Sequence, residues 1–279
     1  AEIDLAAGVT AGVAMAVYIQ LVKVQGWALI PAMLAAFAVG LLIGFVIGFM
    51  VAKIGVPSFV VTLAFFLGFQ GMQLVLLGEG GVYRVEDTKV LAIMNQNLPQ
   101  WGGWAMIAVS LGLAYTIAIF DRRRRSVLGL VNKPISIVYM KLAGLGFIGL
   151  ISVYFLNQNR SQGSIPILGV PIVVPITIAI LFIGTYVLDR TRFGRHLYAV
   201  GGNPEAARRA GINVVKIRIA AFVICAFFAV ISGVFHASRI GSVDGSAGRT
   251  IVLSGVAAAV VGGVSLFGGR GTIFGPFIA

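Results

Sequence analysis

Two histidines and one cysteine are the side chains of this sequence best suited to bind a metal ion or to attack a substrate. His196 and His236 are far apart, and neither has a metal-ligand spacing to Cys225. Zinc sites are usually built from closely spaced pairs of such ligands, and a lone cysteine among apolar residues is typical of a small packing side chain. The sequence therefore predicts no metal site and no catalytic nucleophile.

A glycine-rich run at residues 262–271 is the stretch that most resembles a phosphate cradle. A phosphate-binding loop needs a lysine followed by serine or threonine after its glycines, whereas this run reads Gly-Gly-Val-Ser-Leu-Phe-Gly-Gly-Arg-Gly. We therefore expect that this chain does not bind ATP, and that it is not an enzyme.

The elements that must position any functional residue are apolar helices. Of the 279 residues, 59% are hydrophobic and 11% are charged, whereas soluble domains carry roughly a quarter charged residues. Unbroken apolar stretches favour spanning helices over the alternating strands of a barrel. The stretches lie at about 5–22, 27–52, 58–77, 101–120, 142–157, 171–188, 219–236 and 251–268, with an incomplete ninth from Thr272. We predict an all-α, polytopic integral membrane protein with about eight to nine transmembrane helices.

The distribution of cations predicts the orientation of the chain, since loops rich in lysine and arginine stay on the cytoplasmic side. One set of alternate loops holds fifteen of the 21 cations and the other set holds six. The first set comprises Lys53, Arg122, Arg123, Arg124, Arg125, Lys133, Lys141, Arg190, Arg192, Arg195, Arg208, Arg209, Lys216, Arg218 and Arg270. We place this set in the cytoplasm and the stretch from Glu79 to Asn97 outside. The net charge of +12 thus reflects membrane orientation. We expect no nucleic-acid partner, because no basic run alternates with aromatic residues.

Acidic residues are scarce inside the predicted spans. Transporters driven by protons or sodium usually place carboxylates at mid-membrane, but here all acids except Glu2 and Asp4 fall in loops or at span ends. A secondary transporter remains the first alternative, to be favoured by uptake that needs an ion gradient and no ATP. A passive channel or a membrane scaffold is the second, to be favoured by flux that is independent of an ATPase.

Small residues recur at every fourth position of the second span. They form one ridge along the helix and include Gly40, Gly44 and Gly48, as well as Ala28, Ala32, Ala36 and Ala52. Such ridges allow two helices to approach closely. The alternative is that abundant Ala and Gly align by chance, and we favour a tightly packed helix interface.

The long cytoplasmic loop at residues 189–218 encodes a short and well-terminated helix. Asn203 suits the N-cap, Pro204 the first helical position, and Glu205 the positive end of the helix dipole. Gly211 supplies a left-handed stop. Because so short a helix is marginal by itself in water, its termination favours packing against a partner over a merely solvated loop.

Four stretches of the chain carry a family resemblance. Residues 201–208, Gly-Gly-Asn-Pro-Glu-Ala-Ala-Arg, are followed by Gly-Ile-Asn at 211–213, and the other stretches are residues 2–8, 56–63 and 261–271. In this order they resemble the permeases of ribose- and xylose-type ATP-binding-cassette sugar importers. An insertion that contains Arg122 to Arg125 and the span near 142–157 is similar to the xylose branch.

The resemblance implies a multi-pass permease of the bacterial cytoplasmic (inner) membrane that imports xylose or a related monosaccharide. Its implied partners are a separate ATPase that holds ATP and magnesium, an extracytoplasmic sugar-binding protein, a second permease in a homodimer, and membrane lipid. Residues 1–279 would form one permease domain, truncated at both ends. The residues implied to engage the ATPase are Gly202, Asn203, Pro204, Glu205, Ala206, Ala207, Arg208, Arg209 and Gly211.

The chain departs from the family pattern at two places. Ala6 and Ala7 replace the usual serine and valine, and the late span opens with Ile251 and Val252 near a position where the family has an acidic residue. Any role of that acid is therefore not carried over to this chain.

Sugar passage needs polar groups that replace water around hydroxyls without holding them too tightly. Gln70 and Gln73 lie three residues apart on the third span, with Thr62 on roughly the same face. Asp4 is the fourth candidate. The alternatives are that Gln and Thr join helices to one another, and that Asp4 braces a helix start.

Overall fold

The computed structural model describes residues 2–78, 81–131, 134–161, 163–164, 166–246, 248–265 and 268–278. Expectations that involve Glu79, Lys133, Leu266 and Phe267 fall outside these residues. The helices are α1 Ala7–Lys23, α2 Leu29–Phe49, α3 Ser58–Leu77, α4 Thr88–Asn95, α5 Gln100–Val127, α6 Ile135–Leu156, α7 Val173–Arg190, α8 Arg192–Gly202, α9 Pro204–Arg209, α10 Val214–Ile240, α11 Arg249–Val261 and α12 Phe274–Ile278. A π-helical turn at Met50–Ile54 extends α2, and two short strands are β1 Val82–Arg84 and β2 Ser242–Asp244.

The helices confirm the predicted membrane fold. Within the described residues, six are long and apolar enough to cross a membrane, namely α2 with its π-helical turn, α3, α5, α6, α7 and α10. The predicted first and eighth spans correspond to the shorter helices α1 and α11, and the incomplete ninth corresponds to the five-residue α12. The loop predicted at 189–218 is largely helical, since α8 and α9 occupy most of it. Thr191 caps α8 by accepting a hydrogen bond from the Gly194 amide at 3.2 Å.

The chain divides into two compact units, residues 1–93 with 177–279, and residues 94–176. In the first unit, α1 lies at the centre and packs against α2, α3, α10 and α11. Its residues from Gly8 to Ala16 are all buried, and many of them are small. Small side chains let the neighbouring helices approach α1 from several sides.

The small-residue ridge of α2 packs against α10. A Cβ atom added to Gly44 would lie 2.6 Å from the Cβ of Ala226 and 2.8 Å from the carbonyl oxygen of Phe222. One added to Gly48 would lie 3.0 Å from the Cα of Ile219, and one added to Gly40 would overlap Val230. The absence of side chains at these glycines therefore sets the separation of the two helices.

Two apolar helices of the first unit, α1 and α11, are shorter than the six spanning helices. They have 17 and 13 residues, or about 25 and 20 Å at 1.5 Å per residue, whereas the hydrocarbon core is about 30 Å thick. The N-terminal ends of the two helices are in contact, with the backbone of Gly8 against the backbone of Gly248. The 27-residue α10 packs against α1, with Gly233 against Ala11 and Met15.

Loops that the charge pattern assigns to the outer side meet in the structure. Strand β1 pairs antiparallel with β2, with Tyr83 opposite Val243. Lys23, at the end of α1, forms an ion pair with Glu86. At the opposite end of the unit, Arg218 of α10 pairs with Glu2 at 3.3 Å. These contacts group the loops at two ends of the unit, and the assignment of one end to the cytoplasm stays a prediction from the charge pattern.

The second unit is built on the antiparallel pair α5 and α6. Gly103 of α5 leaves room for Val153 of α6 and for Val170, whose methyl groups would lie 3.0 and 2.8 Å from an added Cβ atom. These contacts belong to a small apolar cluster that also contains Ile107. Arg160 donates a hydrogen bond to the carbonyl of Gly169 at 2.7 Å and so ties together the loop that follows α6.

Candidate functional site

The short helix α9 has the predicted termination. The side-chain oxygen of Asn203 accepts hydrogen bonds from the amides of Glu205 and Ala206, both at 3.0 Å, and Pro204 is the first helical residue. Gly211 follows the helix with φ of 80°. The capping bonds satisfy amides that a helix start leaves unpaired. They therefore stabilise this two-turn helix, which has few hydrogen bonds of its own.

α9 is exposed on nearly all sides. Ala207 is 4% exposed and packs in a cluster with Val200, Val214, Ile212 and Ile217. By contrast, the side chains of Glu205, Arg208 and Arg209 are 59, 66 and 81% exposed. Glu205 pairs with Arg208 at 3.3 Å along the helix. One apolar contact therefore anchors α9, and its charged face is open to a partner.

The preceding helix α8 joins the glycine-rich run. The Tyr198 hydroxyl donates a hydrogen bond to the carbonyl of Gly271 at 2.8 Å. Burial raises the pKa of the Tyr198 phenol, and the charge of Asp189 adds to the shift. Gly269 approaches so closely that an added Cβ atom would lie 2.6 Å from the Cα of Gly202. The described part of the glycine-rich run thus packs against the end of α8, directly before α9.

This contact predicts different tolerances at two glycines of the run. Gly269 and Gly263 both have left-handed φ, 72° and 81°, so alanine costs each about 1–2 kcal/mol of backbone strain. Only Gly269 would also collide with Gly202, because a Cβ atom at Gly263 would meet nothing within 4 Å. We expect Gly269→Ala to speed proteolysis of the 189–218 segment several-fold over Gly263→Ala. Equal cleavage rates would show that the close approach has no structural role.

Two cavities in the first unit meet beside α1 and α10. The larger, about 680 Å³, lies among α8, α10 and the glycine-rich run, and the smaller, about 390 Å³, lies among α1, α10 and α11. Both sizes fall within the roughly 300–1,000 Å³ of small-molecule sites. The residues that line both cavities are Glu2, Asp4, Cys225, Val264 and Ser265.

The junction of the cavities carries polar groups. The Asp4 carboxylate accepts a hydrogen bond from the Ala6 amide at 2.9 Å and lines both cavities together with Cys225. The ion pair between Glu2 and Arg218 lies at the wall of the larger cavity. Asp4 therefore braces the start of α1 and also faces the cavities, so both readings of this residue agree with its position.

The other predicted pathway residues lie elsewhere. Thr62 and Gln73 of α3 are buried, 0 and 1% exposed, and the Gln73 amide donates a hydrogen bond to the carbonyl of Val9 at 3.1 Å. Gln70 is half-buried. None of the three lines the two cavities. Gln73 joins α3 to α1, which is the alternative that the sequence left open for these residues.

Sequence reasoning missed the cavity-lining face of α10. Cys225, Phe228, Ala229 and Ser232 line the smaller cavity and are spaced three, four and seven residues apart, which places them on one helix face. This spacing was available as a signal, but Cys225 by itself indicates only packing. Among the described residues, no group of His, Cys, Asp and Glu could hold a metal ion.

Comparisons with known proteins match the whole chain. The model of a family described as branched-chain amino acid transport system / permease component matches residues 1–279. The xylose transport system permease protein XylH of Escherichia coli (strain K12) is 35% identical over 275 residues, which is 99% of this chain and 68% of that protein. XylH of Haemophilus influenzae is 34% identical over 285 residues, or 100% of this chain and 72% of that protein. The ribose import permease protein RbsC of Escherichia coli (strain K12) is 42% identical over 111 residues, or 40% of this chain and 35% of that protein. No solved structure matches the chain.

Proposed function

The chain belongs to the branched-chain amino acid transport system / permease component family, and from this premise we propose that it forms the sugar path of an ATP-driven importer in the bacterial cytoplasmic membrane. The family places the chain among transporter subunits and not enzymes, and the resemblance inferred from its motifs is confirmed. The observation that carries the proposal is the 35% identity to a xylose permease along 99% of the chain. Similarity to ribose permeases covers a smaller part of the chain, which supports xylose or a related monosaccharide as the cargo.

ATP hydrolysis is assigned to a partner ATPase, which holds ATP and magnesium, and sugar delivery to an extracytoplasmic binding protein. The exposed and capped α9 supports residues 189–218 as the coupling loop of one permease domain. Gly202 contacts the glycine-rich run, and residues of this run line both cavities. A displacement of α9 would therefore be transmitted to the cavity walls. A second permease copy would complete the transporter as a homodimer.

The sugar path is proposed to follow the two cavities beside α10. Asp4, Ser265 and the Glu2–Arg218 pair offer hydrogen-bonding groups among apolar walls, which suits hydroxyls that must bind and leave. This path replaces the one along α3, whose Thr62 and Gln73 are buried between helices. Gln70 stays a secondary candidate.

Substituting Cys225 tests this path. Cys225→Phe adds a ring where the two cavities meet, and we expect sugar uptake to fall at least several-fold while the protein remains folded. Ile224→Phe is the matched control, since Ile224 is the adjacent residue of α10, is 40% exposed and lines neither cavity. Uptake of labelled xylose is the measurement. If both variants transported like the wild type, the cavities would not be the path.

The transport proposal is tested in proteoliposomes that contain the full-length permease, its ATPase and its binding protein. We expect xylose uptake to require internal ATP and magnesium on the cytoplasmic face and to be insensitive to proton and sodium ionophores. Uptake that persists without the ATPase and collapses with an ionophore would favour the secondary transporter. Flux that ignores both would favour a channel.

A further inference from the structure

A groove between α5 and α6 is lined by two arginines and by no acidic residue, unlike the two cavities of the first unit. It measures about 540 Å³, and it lies where α5 ends and α6 begins, at the end of this unit that the charge pattern assigns to the cytoplasm. Its walls are mainly apolar and aromatic, and Arg122 and Arg123 also line it. Its lining residues include Tyr115, Ile119, Arg122, Arg123, Val138 and Tyr139.

The order of the residues along the two helices separates the groove into an apolar and a cationic part. Tyr115 and Ile119 precede Arg122 by two turns and one turn of α5, toward the middle of this predicted span, and Val138 and Tyr139 of α6 line the same groove. Tyrosine is typical of the membrane interface. Arginine beyond an apolar stretch reaches the headgroup level with its guanidinium while its stem covers apolar surface.

We propose that this groove binds an anionic phospholipid of the cytoplasmic leaflet. Arg122 and Arg123 contact the headgroup phosphate, and one acyl chain packs along Ile119, Val138 and Tyr139. The charge is complementary, since residues 122–125 are four consecutive arginines with a single adjacent acid, Asp121. Basic sites between transmembrane helices on the cytoplasmic side suit anionic headgroups, whereas a soluble anion would gain nothing from the apolar walls.

The chain carries its own control for this site. Arg124 and Arg125 belong to the same basic run and the same helix, but they do not line the groove. A general attraction of positive charge to the membrane would depend on all four arginines alike. A built site depends on Arg122 and Arg123.

Two double variants of the full-length permease distinguish these cases. Arg122→Gln with Arg123→Gln removes two charges at the groove, and Arg124→Gln with Arg125→Gln removes two beside it. In detergent, dioleoyl phosphatidylglycerol is titrated against each protein and bound lipid is counted by native mass spectrometry. We expect the groove variant to lose affinity about thirtyfold, since each arginine near an anionic headgroup contributes about fivefold, and the control to change little.

Three further measurements complete the test. Dioleoyl phosphatidylcholine should bind wild-type protein no better than it binds the groove variant, and inorganic phosphate should not displace phosphatidylglycerol. Val138→Asp, which leaves all arginines in place, should also weaken lipid binding. Equal losses in the two double variants, or displacement by phosphate alone, would overturn the proposal. Gel filtration of each variant establishes that it remains folded, and sugar uptake reports on the transport proposal separately.

Discussion

Arg208→Glu is expected to reduce ATP-dependent uptake by about tenfold or more, while the permease remains folded in the membrane. The side chain is 66% exposed and its pair with Glu205 is local to α9. Such a pair within a helix contributes only about 0.2–0.5 kcal/mol, so its loss cannot unfold the protein. A large effect on transport must therefore come from a partner surface that α9 contacts.

Co-purification with the partner ATPase in detergent measures this contact directly. Lys53→Glu is the matched control, because Lys53 is an exposed cation that the charge pattern also assigns to the cytoplasm but lies in the π-helical turn after α2, outside the coupling loop. We expect Arg208→Glu to lose the ATPase and Lys53→Glu to retain it. Full ATPase recovery and normal uptake with Arg208→Glu would remove α9 from the coupling site.

The second large effect is expected at the α2–α10 interface. Gly44→Leu should prevent accumulation of folded permease, since even its Cβ atom would lie 2.6 Å from Ala226 and 2.8 Å from the Phe222 carbonyl. Overpacking a tight interface costs about 1–3 kcal/mol when neighbours can move aside, but here backbone atoms block the way. Gly44→Ala should show a smaller effect in the same direction.

Gly71→Leu supplies the comparison for Gly44→Leu. Gly71 also lies within a spanning helix, α3, and an added Cβ atom there would meet nothing within 4 Å. Fluorescence-detected gel filtration of both variants should give a normal monodisperse peak for Gly71→Leu and aggregate for Gly44→Leu. Similar profiles would mean that helix propensity, and not the close approach, controls folding here.

Much of the fold follows from the apolar pattern. The third predicted span, 58–77, coincides with α3, and the every-fourth spacing of Gly40, Gly44 and Gly48 correctly placed small residues on one face of α2. The termination of α9 was equally readable, because Asn203 and Gly211 act through backbone bonds within a few residues. Local chemistry of this kind needs no knowledge of distant contacts.

The position of the cavities could not be read in the same way. Gln73 and Asp4 are both polar residues near apolar spans, yet Gln73 is buried against Val9 and Asp4 faces open space. Which of them meets a cavity depends on how α1, α10 and α11 pack. The contacts of α1 with α11 join residues more than 200 positions apart, such as Gly8 and Gly248. The β1–β2 pairing is likewise long-range and has no strong local signal.

The meeting of Gly8 and Gly248 has a consequence for how the protein is made. α11 has 13 residues, fewer than the roughly 20 apolar residues that a helix needs to span a bilayer by itself during synthesis. Its insertion must therefore wait until α1 and α10, synthesised earlier, form a protein surface on which its first amides can lie out of contact with lipid. We expect α11 to dock only after α1 and α10 are in place, so that truncation before residue 249 leaves the earlier spans inserted and exposes their α11-facing surface to quality-control proteases.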